Sequence, residues 1–138
     1  MEKIFSKVNQ YLLLHIIHKK KDFTNLRYDF STEDQPLQVS SLFFQEGKEV
    51  SPHKHLECKK IGKITQEAII VISGLLEATY YDLDDSIIKK IILKEGDCAV
   101  TFVGGHSFKA LTENTKLYEI KNGPYQDRNK DKTEINNV

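Results

Sequence analysis

The chain has 138 residues, 39% apolar and 29% charged, which fits one soluble globular domain. Lys plus Arg and Asp plus Glu both number 20, so the formal charge is zero and supplies no electrostatic drive towards nucleic acid or an anionic membrane. No apolar run approaches membrane-span length, and Cys58 and Cys98 stand forty positions apart without a CxxC pair, which argues against a zinc-thiolate cluster and for two reduced thiols.

In chain order, "EKIFSKVNQ" (2–10) reads as a helical turn or two, or as an extended arm. "YLLLHIIH" is too short and too polar-flanked for a signal peptide, so the start of the chain reads as mature and cytoplasmic. From there the signals are strand signals. "LLLHIIH" (12–18) and "LQVSSLFFQ" (37–45) are rich in aliphatic, aromatic and β-branched residues. "EAIIVISG" (67–74) is an apolar run stopped by glycine, and "LEATYYDL" (76–83) alternates in part. "LDDS" (83–86) and "KEGD" (94–97) are turns on either side of "IIKKIIL" (87–93), because Asp and Ser side chains bond nearby backbone. "CAVTFV" (98–103), a Gly-Gly turn, "HSFKAL" (106–111), "TEN" (112–114) and "KLYEIK" (116–121) complete the series. Eight or nine short strands with a turn about every ten residues predict an all-β sandwich or barrel. The last thirteen residues hold six charges and little apolar material, and read as a solvated, flexible tail over 126–138.

Charged residues inside strands carry the functional signal. His53 and His55 are two apart, so on a strand they point to one side. Glu67 shares a face with Ile69 and Val71, where a carboxylate needs a cation or strong donors. His106 follows two glycines and opens a strand. Imidazole and carboxylate are ligands that divalent transition metals accept. Glu57, two residues past His55, is a rival to Glu67 for the fourth position. His15 and His18 lie three apart, face opposite sides of their strand, and read as edge or surface histidines.

These spacings resemble the cupin superfamily. Gly47, five residues, then His53-Lys54-His55, and later Glu67, six residues, then Gly74, match the two halves of its first motif. Eleven residues separate His55 from Glu67, longer than the family's usual gap, and a longer hairpin loop absorbs the excess at little cost. The second motif is degenerate: Gly96 and its five residues are followed by "FVGGH", with Phe102 in place of proline. Strings such as "QEAIIVISG", "GDCAVTFVGGH" and "KNGPY" further resemble small cupins that accompany bacterial genes for surface-polysaccharide and sugar-nucleotide biosynthesis.

The resemblance implies a double-stranded β-helix, or jelly roll, as one domain over 1–125 with its core barrel at about 37–121. It implies one divalent metal, iron, manganese, nickel or zinc, held by His53, His55, Glu67 and His106. It also implies a carbohydrate-related role but no reaction; the chemistry of such a metal site leads to the expectation of an isomerase or epimerase on a small sugar derivative, with Glu67, Lys121 and Tyr125 as catalytic candidates and Glu119 beside them. An iron-dependent dioxygenase and a non-catalytic carbohydrate-binding protein are the alternatives. "AIIVIS" is apolar on both faces, as for a strand covered on two sides, and a homodimer is expected.

Overall fold

The computed structural model describes residues 1–24, 27–32, 35–42, 46, 48, 52, 62, 64–122 and 133–135. Ten strands are present among them: β1 (Glu2–Phe5), β2 (Leu13–His18), β3 (Arg27–Asp29), β4 (Ser40–Leu42), β5 (Glu67–Ser73), β6 (Leu75–Tyr81), β7 (Ile87–Lys94), β8 (Cys98–Thr101), β9 (Gly105–Ala110) and β10 (Lys116–Lys121). The helical element is a short 3-10 turn, Lys20–Asp22. The all-β expectation therefore holds. No helix among the described residues is long and apolar enough to cross a membrane.

Three antiparallel sheets form: β1-β2-β8-β5-β10, β7-β6-β9 and the pair β3-β4. The five-stranded and three-stranded sheets enclose the main core. Ile17, Ile69, Val71 and Ala99 from the first meet Leu76, Ala78, Tyr80 and Leu93 from the second, all 3% exposed or less. Each Ile, Val and Leu among them contributes about 1.5–3 kcal/mol by leaving water. The other face of the five-stranded sheet carries Ile16, Ala68 and Val100, which pack under Phe30 and Leu37 near the β3-β4 pair. β5 is thus covered on both faces within one chain at Ala68, which explains its unbroken apolar run.

The chain crosses from one large sheet to the other between β5 and β6, β7 and β8, β8 and β9, and β9 and β10. Each crossing holds a residue in the left-handed region: Gly74, Gly96, Gly104 and Asn114. A change of sheet within so few linking residues is helped by that conformation, which glycine and asparagine adopt at least cost. Gly74 is the one residue between β5 and β6.

The N-terminus departs from expectation. Residues 2–5 form strand β1 on the edge of β2, with Glu2 opposite Ile17 and Ile4 opposite His15. One or two isolated helical turns are marginal in water, whereas the β2 edge offers a ladder and a core site for Ile4, 7% exposed. The following turn is held by Asp82, whose carboxylate accepts from Ser6 Oγ at 2.6 Å and from the Lys7 amide.

Candidate functional site

Register builds the site. Ile4 lies opposite His15, His15 opposite Thr101, Thr101 opposite Glu67, and Glu67 opposite Lys121. One row of side chains therefore crosses all five strands on the face that looks towards the three-stranded sheet. On that second sheet His106 lies opposite Tyr80. At this end the sandwich interior changes from aliphatic to polar: His15, Thr101, Glu67 and Lys121 on one side, Tyr80 and His106 on the other.

Glu67 and His106 join the two sheets. His106 Nε2 lies 3.2 Å from Glu67 Oε1, with the side chains 26% and 14% exposed. A hydrogen bond of this kind places the ring proton on Nε2 and leaves Nδ1 as the second ring nitrogen. That Nδ1 is buried without a partner among the described residues. Burial by itself would raise the Glu67 carboxyl; the hydrogen bond and charge of His106, with Glu119 and Lys121 adding to them, hold it below the ordinary glutamate value. Glu67 is thus an ionised carboxylate at neutral pH in a mostly dry place.

Glu67, His106 and Lys121 line a pocket of about 770 Å³, together with Tyr81, Asp82, Gly104 and Ser107. Such a volume suits a small organic ligand. Behind the pocket wall sits His15, fully buried, with Nδ1 3.1 Å from Thr101 Oγ1 and its ring 4.5 Å from that of Tyr80. Gly104 separates the two: a Cβ there would lie 3.4 Å from His15 Nε2 and 2.7 Å from the Tyr81 carbonyl oxygen. Burial depresses the His15 pKa to about 4, against a weaker pull from the Tyr81 carbonyl that does not reach hydrogen-bond geometry, so the ring is neutral. Tyr80 Oη and His15 Nε2 are buried and unpartnered among the described residues.

No family model, curated protein or solved structure matches the chain.

Of the sequence-expected site residues, the structure brings Glu67, His106 and Lys121 into one pocket and sets Glu119 against Glu67. His53, His55, Glu57 and Tyr125 lie outside the described residues. Among the described residues no group of three or more His, Cys, Asp or Glu side chains converges as a metal site. The described half of the expected set supplies donor types that a divalent ion accepts, a carboxylate and an imidazole on a shared pocket wall, and the proton on His106 Nε2 would have to leave for both to bind one ion.

His15 and His18 correct the sequence reading. Neither is an edge or surface residue: they are 0% and 2% exposed. His18 turns to the opposite face from His15, where its ring meets Phe23 and Phe30 at 4.7 and 4.9 Å. β2 lies between β1 and β8 and is covered on both faces, so both histidines are interior. The signal was present in "LLLHIIH", which has no polar face for solvent.

Proposed function

We propose that this chain is an isomerase or epimerase of the cupin type, acting on a small sugar or sugar-nucleotide derivative. The observation that carries the reading is the 3.2 Å contact between Glu67 and His106 in the wall of an open pocket of about 770 Å³. Both reactions move a proton on carbon next to a carbonyl. Glu67 is suited to take that proton, because His106 and Lys121 keep its carboxylate ionised despite burial. Lys121, opposite Glu67 in the ladder, faces developing negative charge on substrate oxygen. Tyr125, four residues on, is the further candidate for returning a proton. A divalent ion, iron, manganese, nickel or zinc, held by His53, His55 and His106, would polarise the carbonyl when bound; with Glu67 as its fourth ligand instead, the base would fall to Lys121 or Tyr125.

The jelly-roll scaffold is supported by the path of the chain. β5, β8 and β10 fall in the larger sheet and β6, β7 and β9 in the smaller, so the chain passes back and forth between two facing layers, with the β6-β7 hairpin kept in one of them. The cytoplasmic setting rests on the sequence reading alone. A homodimer remains part of the proposal: Ile72, Tyr118 and Ile120 stand 42%, 64% and 47% exposed on the outer face of β5 and β10, and light scattering at tens of micromolar tests it.

The decisive experiment follows deuterium from solvent into nucleotide-linked keto sugars by NMR, with the metal content of the protein measured alongside. Exchange next to the carbonyl, lost in Glu67→Gln and His106→Ala proteins that remain folded, is the expected result. Sugar binding without exchange, surviving His53→Ala, would replace the enzyme with a non-catalytic carbohydrate-binding protein.

A further inference from the structure

We infer that residues Thr133–Ile135 form a strap that closes one side of the Glu67–His106 pocket. From position 126 to 138 the sequence carries six charges and two aliphatic residues, Ile135 and Val138, and by composition belongs in solvent. Thr133, Glu134 and Ile135 nevertheless line the pocket together with Glu67, His106 and Lys121.

Ile135 has a shaped seat. It is half-buried, and its Cδ1 lies 2.3 Å from the place a Cβ on residue 105 would occupy. Real Cβ atoms do not accept a neighbour closer than 3.0 Å, so Ile135 fits only because residue 105 is glycine. Gly105 opens β9 immediately before His106, and the strap therefore rests against the backbone that carries the site's imidazole. The cavity keeps its volume of about 770 Å³ with these residues in its wall, so the segment encloses space and does not fill it. An apolar side chain at that position holds water back from His106 and Glu67, which strengthens every electrostatic interaction between them and a ligand.

This inference shares its pocket with the proposed function and needs no ligand for its test. The rate at which diethyl pyrocarbonate modifies His106, located by mass spectrometry at fixed pH, reads the shielding directly. It is measured in the full chain, in Ile135→Asp, in Gly105→Ala and in a chain ending at residue 132. The strap predicts several-fold faster modification of His106 in all three variants, with an unchanged circular dichroism spectrum. Rates equal to the parent's in Ile135→Asp and in the shortened chain would overturn it. A Cβ at 105 also comes within 3.2 Å of Tyr81 Cβ, so if Gly105→Ala misfolds the other two variants decide. Failure to find sugar turnover leaves this result standing, and absence of shielding leaves the enzyme reading open to its own test.

Discussion

Glu67 Oε1 accepts a hydrogen bond from His106 Nε2 at 3.2 Å, although β5 and β9 belong to different sheets. The contact ties the polar ends of two layers whose shared core is mostly aliphatic. It also decides the ionisation of Glu67, because burial and the imidazole act in opposite directions on the carboxyl. In His106→Ala the burial contribution loses its main opponent, and the Glu67 carboxyl is expected to titrate higher than in the parent. Carbon-13 NMR of the side-chain carboxyl measures this; an unchanged or lower value would refute the account. The same change is expected to cost about 1–3 kcal/mol of stability, since it leaves a half-buried carboxylate short of a donor.

Acid is expected to weaken the fold through His15. Its folded pKa of about 4 lies below the ordinary histidine value of 6.5. Between these values the unfolded chain binds a proton at this position and the folded chain does not, so stability falls as pH drops from 6.5 towards 4 and is fully present above 6.5. The loss from this group amounts to about 3 kcal/mol. Urea midpoints across that range in the parent and in His15→Phe, which keeps a ring against Tyr80, should differ in slope, with the variant flatter.

Asp97 anchors the 3-10 turn to the β7–β8 corner. Its carboxylate is 1% exposed and accepts from Lys19 Nζ, the Lys20 amide and the Lys94 amide, each at 3.0 Å. Asp97→Ala strands three donors, one of them charged, and should lower the unfolding free energy by about 3 kcal/mol. Asp97→Asn, which retains an acceptor oxygen, should lose less. Chemical denaturation of the two variants side by side tests the ordering.

Gly74 turns the chain from β5 into β6 with φ +85°, and a Cβ there would lie 2.6 Å from Thr115 Oγ1 and 2.9 Å from Thr115 Cα. Strain and contact act together, so Gly74→Ala is expected to destabilise by about 2–3 kcal/mol or more. Thermal unfolding should show the fall. The backbone approach of Thr115 means that Thr115→Ser alone should restore little of it.

Strand content was legible in the sequence because each feature that encodes it is local. Apolar runs of strand length, Asp and Ser at turns, and glycine at corners predict β2 and β5 to β10 with boundaries close to those observed. β1 and β3 were missed for a common reason. Each is short, Glu2–Phe5 and Arg27–Asp29, and is a strand only because a neighbour supplies its ladder. His15 was misplaced although "LLLHIIH" has no polar face; that pattern signals burial, and only the packed sheets show that Tyr80 is what covers His15.

By itself the sequence determined the all-β class, the identity of Glu67, His106 and Lys121 as chemically unusual strand residues, and the polar character of the C-terminal stretch. Those properties follow from side-chain periodicity and residue type, which neighbours along the chain settle. Tertiary structure alone decided that Glu67 and His106 meet, that His15 and Tyr80 back the site, and that Ile135 returns to a seat made by Gly105. Each of these joins residues 30 or more positions apart, through strand register or a missing Cβ. Distances of that kind are set when sheets pack, where no single segment holds the information.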